Sequence, residues 1–80
     1  KVFDDDKLME ETYTFAERLA NGPSVAIRLT KQAVYQFLRS DLLSSLEAIT
    51  GFMGVAASTE DHIEASTAFR EKRTPHFKGY

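Results

Sequence analysis

An all-α fold of about four short helices is what this 80-residue chain predicts, and three observations predict it. Apolar residues recur at three- and four-residue spacing in four separate stretches, the period of a helix face. Capping and stop residues fall between those stretches. Alternating β-branched or aromatic runs, the signature of strands, are nearly absent.

The first helix is expected over residues 6–21. Asp4, Asp5 and Asp6 suit the positive end of a helix dipole, and one of them can serve as the cap. Leu8, Phe15, Ala16 and Leu19 repeat at helical spacing. Asn21-Gly22 reads as a stop, because either residue tolerates the left-handed conformation. Pro23 opens the second helix, 23–39, in a first turn where its missing N–H costs nothing. Ala26, Thr30, Ala33, Val34, Phe37 and Leu38 form its broad apolar face. Ser40 or Asp41 restarts the chain as a third helix, 41–57, with a stripe of Leu42, Leu43, Leu46, Ile49, Met53 and Ala56.

Gly51 and Gly54 sit inside that stripe, each costing roughly 1 kcal/mol relative to Ala in a helix interior. Either the helix is weak or kinked there, or another backbone or a ligand approaches closely. Ser58 or Thr59 caps the fourth helix, 59–73, with Asp61 placed to return a bond in capping-box style. Thr74-Pro75 ends it. Residues 74–80 are expected as a loose tail.

The totals exclude several functions. The chain has no cysteine, so neither disulfides nor thiolate chemistry is available. His62 and His76 lie 14 positions apart, which fits no common metal spacing, and no metal site is expected. A net charge of -2 argues against a nucleic-acid binder. No apolar run approaches the ~18 residues of a membrane span. No signal peptide is visible, so the cytoplasm is the default location. The chain opens on Lys1 rather than Met and is expected to continue upstream. So small a core is marginal alone, which points to association with other protein surface for stability.

No Ser-His-Asp grouping or phosphate loop occurs, and no catalytic residue is assigned. Glu60, Asp61 and Glu64 read as dipole-matching carboxylates on a solvated face. The end of the fourth helix carries more chemistry. Phe69, Lys72 and Arg73 lie at i, i+3 and i+4, with Arg70 beside them. Cations at a helix C-terminus match its dipole, and Phe69 is then core. The other reading is a site for an anion bearing an aromatic ring, such as a phosphorylated nucleotide. The tail, with Pro75, His76, Phe77 and Tyr80, is either disordered or docks on another surface.

Asp61, Glu64 and the run "AFREKRTPHFKG", residues 68–79, resemble the closing motif of the crotonase family, the enoyl-CoA hydratases and isomerases. That motif reads approximately D-x-x-E-G-x-x-A-F-x-E-K-R-x-P-x-F-x-G. Asp61, Glu64, Ala68, Phe69, Glu71, Lys72, Arg73, Pro75, Phe77 and Gly79 match it, and Ala65 stands where Gly is usual. "VFDDDKLMEET", "FAERLANGP" and "RLTKQAV" resemble earlier stretches of the same family, so the likeness covers essentially the whole chain.

The resemblance implies a C-terminal helical (trimerisation) segment of a crotonase fold, lacking the β/α spiral core that carries the oxyanion hole and acidic residues. It implies acyl-CoA as partner, a coenzyme A thioester as substrate of the parent enzyme, and no tightly bound cofactor. It implies self-association, as a trimer or dimer of trimers in the parent. It also places the residues matching Phe69 and Lys72 near the adenine and phosphorylated ribose of CoA held by a neighbouring subunit. Two alternatives stand beside it: a structural oligomerisation module without ligand, and a small helical acyl-CoA carrier.

Overall fold

The computed structural model describes residues 1–80. It contains four helices and no strand: α1 (Leu8–Ala20), α2 (Ser24–Arg39), α3 (Leu42–Ala57) and α4 (Glu60–Glu71). The all-α expectation holds, and the differences lie at the helix ends, where local chemistry decides.

None of the three aspartates caps α1. The residue before the helix is Lys7, which makes no side-chain cap. Its N–H instead closes a turn on the Asp4 carbonyl at 2.9 Å. The stop after α1 is not left-handed either: Asn21 has φ −89° and ψ 5°. Gly22 serves close approach instead. A Cβ there would lie 2.7 Å from the Ile27 Cδ1 and 3.3 Å from the Leu19 carbonyl oxygen. Pro23 stands one place earlier than expected, as the residue before α2, and its carbonyl accepts the Ile27 N–H at 3.0 Å.

Asp41 caps α3 with both carboxylate oxygens, accepting the Ser44 N–H at 3.0 Å and the Ser44 hydroxyl at 2.7 Å. Those bonds hold its carboxyl below the usual carboxylate range, the Ser44 backbone bond first. The turn between α2 and α3 is closed by two hydroxyls. Ser40 donates to the Gln36 carbonyl at 2.9 Å, so the 2.8 Å contact between Ser40 and Ser45 is donated by Ser45. Ser45 is fully buried by this arrangement. Leu29, Ala33, Ile49, Phe52 and Met53 meet in the cleft between the two helices.

Little else is enclosed. Only four of 80 residues are buried: Leu29, Ala68, Ser45 and Asp61. Leu38, Leu42, Leu43 and Met53 are largely exposed. The radius of gyration is 15.8 Å, against about 12 Å for a compact domain of this length. The chain is therefore an open, flattened arrangement, 44 × 36 × 18 Å, whose apolar stripes are mostly uncovered. Gly51 and Gly54 make no close crossing within it, since a Cβ at either would meet nothing within 4 Å. No single helix is long and apolar enough to cross a membrane.

Candidate functional site: the α4 terminus and its strap

Thr59 caps α4, its Oγ1 accepting the His62 N–H at 3.1 Å. With that position filled, Asp61 does not complete a capping box. Its carboxylate turns to the C-terminal segment, accepting the Lys78 N–H at 2.6 Å and the Gly79 N–H at 2.9 Å. Its own N–H, one of the unpaired donors of a first helical turn, donates to a Tyr80 backbone oxygen at 3.0 Å. Asp61 is only 2% exposed. A buried carboxylate is costly unless hydrogen-bonded, and here both oxygens are engaged.

Glu64, on the same α4 face as Asp61, forms the second anchor. Its two oxygens accept from Arg73 Nη1 at 2.6 Å and Nη2 at 2.9 Å. One of them also accepts the His76 N–H at 2.8 Å. The Arg73 guanidinium, followed by the His76 N–H, lowers the Glu64 pKa to about 2. Arg73 is raised in turn by Glu64 and then Glu71, whose carboxylate takes the Nε–H at 2.6 Å. Lys78 is raised by Glu60, which it meets at 3.2 Å.

Residues 74–80 are thus a strap laid back along α4, not a loose tail. Glu64 holds its start, Asp61 its end. Pro75 and Phe77, within the strap, are half-buried. Gly79 ends the strap at φ +91°, where the Ser24 hydroxyl donates to its carbonyl at 3.4 Å. A Cβ at Gly79 would stand 3.2 Å from that hydroxyl. The expectation that Glu60, Asp61 and Glu64 form a solvated face fails for Asp61 and Glu64, because three backbone N–H groups and two guanidinium nitrogens converge on them.

The opposite end of α4 carries the two residues singled out from the sequence. Helix α4 stops at Glu71 rather than running to Arg73. Lys72 is left-handed, φ 55° and ψ 37°, the one non-glycine residue with positive φ. The Lys72 N–H donates to the Phe69 carbonyl at 3.3 Å and the Arg73 N–H to the Ala68 carbonyl at 3.0 Å. This is the Schellman closure, in which glycine is the usual left-handed residue. The turn removes Arg73 from the face it was expected to share with Phe69 and Lys72, and directs it to Glu64 and Glu71.

Phe69 is 86% exposed, so it is not core. Arg73 and Lys78 are in ion pairs, whereas Lys72 and Arg70 are in none. The α4 terminus therefore presents an uncovered aromatic ring with uncompensated cations close by in the chain. Sequence reasoning missed Asp61 and Glu64 as anchors. Their i, i+3 spacing, with Thr59 already available as a cap, was the signal that both could face one segment.

The helical fold matches solved enoyl-CoA hydratases. That of Bacillus anthracis superposes with a TM-score of 0.92 at 33% identity, covering 99% of this chain and 31% of that one. The profile of the Enoyl-CoA hydratase/isomerase family matches residues 1–80, and the chain belongs to that family. Among curated relatives, 2,3-dehydroadipyl-CoA hydratase of Escherichia coli K12 is 35% identical, over 98% of this chain and 31% of its own length. Short-chain-enoyl-CoA hydratase of Clostridium acetobutylicum is 34% identical, over 91% of this chain and 28% of its own. The chain thus spans between 18% and 31% of the length of the curated relatives it matches.

Proposed function

We propose that this chain is the C-terminal assembly and CoA-contacting segment of an enzyme of the enoyl-CoA hydratase/isomerase type, acting on acyl-CoA thioesters. Phe69 and Lys72 are its cofactor-contacting residues. Phe69 stacks on the adenine, and the Lys72 ammonium meets the ribose phosphate of a CoA held by a neighbouring subunit. Catalytic groups, an oxyanion hole and acidic side chains, belong to the rest of the protein.

The observation that carries this reading is the state of the α4 terminus. The Phe69 ring, 86% exposed, is the most uncovered large apolar side chain after Val2 and is open to a ligand or a partner. Lys72 has no carboxylate partner, whereas Arg73 beside it and Lys78 in the strap do. The uncovered stripes of α2 and α3 favour assembly, since exposed apolar area of this kind is buried at subunit contacts. An oligomerisation module without ligand accounts for those stripes but gives Lys72 no work.

The test is Lys72→Ala in the full-length protein. It should raise the KM for an acyl-CoA substrate by about tenfold, the loss of one charge-assisted contact. The KM for the 3′-dephospho analogue should not move. Equal effects on both substrates would remove the phosphate role.

A further inference from the structure

We infer that Glu64 is a positioning residue for Lys72, setting through Arg73 the left-handed backbone from which the lysine reaches its ligand. The inference rests on the assignment of Lys72 to the CoA phosphate and extends it to a residue that itself touches no ligand.

Three observations carry it. First, Lys72 holds φ 55° without being glycine. A left-handed L-residue costs roughly 1–2 kcal/mol, and such strain persists only where the surroundings over-determine it. Secondly, the residue immediately after Lys72 is the most heavily held side chain of the molecule. Arg73 places Nη1 and Nη2 on Glu64 at 2.6 and 2.9 Å and Nε on Glu71 at 2.6 Å. A two-pronged guanidinium–carboxylate pair fixes orientation as well as distance. Thirdly, Glu64 also takes the His76 N–H at 2.8 Å, so the chain beyond Arg73 cannot swing away independently. The Schellman bonds call for a left-handed residue at Lys72, and the Arg73 fork is made by the residue that follows it.

The same geometry keeps Arg73 out of the ligand site. Its charge faces two carboxylates, which leaves Lys72 and Arg70 as the unpaired cations at this end of α4. Loss of Glu64 has a distinctive consequence: the backbone at Lys72 loosens, and Arg73 is released.

The experiment compares Glu64→Gln, Arg73→Lys, Lys72→Ala and the Glu64→Gln/Lys72→Ala double variant in the full-length protein, on an acyl-CoA and its 3′-dephospho analogue. Gln keeps an acceptor for the His76 N–H but loses the charged fork. Lys at position 73 keeps the charge and loses the fork, and serves equally if the Gln variant does not fold. Glu64→Gln should raise the KM for the acyl-CoA about fivefold, within the range for a residue acting through one neighbour. kcat should stay within about twofold, and the dephospho substrate should be unaffected. Added to Lys72→Ala, it should have no further effect on the ratio of the two substrates.

If Lys72→Ala discriminates between the substrates but Glu64→Gln and Arg73→Lys do not, the positioning role is overturned and the Lys72 assignment survives. A lower KM for acyl-CoA in Glu64→Gln would overturn it too, since the freed Arg73 would then be the better ligand. If Lys72→Ala itself fails to discriminate, the assignment falls and the positioning role with it.

Discussion

Arg73 and Glu64, nine positions apart, meet as a fork on a fork, with Nη1–Oε1 at 2.6 Å and Nη2–Oε2 at 2.9 Å. The pair ties the second residue past the helix back to the body of the helix it has just left. With Asp61 gripping the other end of the strap, it converts the last residues of the chain from a tail into part of the fold.

That contact has a defined pH dependence. Glu64 is lowered from 4.5 to about 2 by Arg73 and the His76 N–H. A depressed carboxylate stabilises the fold fully above its unfolded pKa and loses that contribution as pH falls through the folded one. The strap should therefore hold above about pH 4.5 and loosen progressively towards pH 2. Amide exchange at His76 followed over that range checks it. Protection unchanged at pH 2 would show that the fork is not what holds the strap. Asp41, also lowered, should weaken the α3 cap over acidic pH in the same direction.

Asp61→Ala should be among the most damaging substitutions outside any active site. It leaves the Lys78 and Gly79 N–H groups without their acceptor. Hydrogen bonds to a charged group contribute roughly 1.5–3 kcal/mol, so a loss of about 3 kcal/mol is expected in the intact protein. Thermal unfolding with amide exchange at residues 78 and 79 reads it directly. A change below about 0.5 kcal/mol, the ordinary effect of a surface substitution, would contradict the anchoring role.

The glycines should divide by place. Gly79→Ala meets both a positive φ and the Ser24 hydroxyl, and should destabilise by about 1 kcal/mol or more. Gly51→Ala and Gly54→Ala add a Cβ in open space inside α3. In the isolated chain each should raise helix stability by roughly 0.5–1 kcal/mol. In the assembled protein the same substitutions should weaken association if another subunit packs on that face. Circular dichroism of the chain and sedimentation of the assembly distinguish the cases.

Lys72→Gly should separate stability from binding. Glycine adopts the left-handed conformation freely, so unfolding should become harder by about 1 kcal/mol. Affinity for acyl-CoA should fall as in Lys72→Ala. A variant that is both less stable and unchanged in affinity would refute the reading of this position.

The 80-residue chain by itself should give no hydration of crotonyl-CoA above background, and its uncovered stripes should drive self-association. A turnover assay and sedimentation velocity at several concentrations test both. A dilute monomer with a cooperative melt would argue against assembly through these faces.

Much of this was legible along the chain. Helix positions follow from local period and punctuation: the Asn21-Gly22-Pro23 break, the Asp41 cap, the Thr59 cap. Those signals act within a turn or two, so no tertiary information is needed to read them. Asp4–Asp6 were misread because composition marks a helix start without choosing which group caps it. Residue types at the α4 terminus, an aromatic followed by cations, were equally visible.

Only the folded chain decided what those residues do. Asp61 and Glu64 look like ordinary carboxylates near the start of a helix until a segment many residues later returns to them. Phe69, Lys72 and Arg73 share a face on a helical wheel, and one left-handed residue undoes that by turning Arg73 back on α4. Sequence determines which groups are present and how a helix begins. Which donor reaches which carboxylate depends on where the chain goes after the helix ends, and that path is set by hydrogen bonds between residues far apart in sequence.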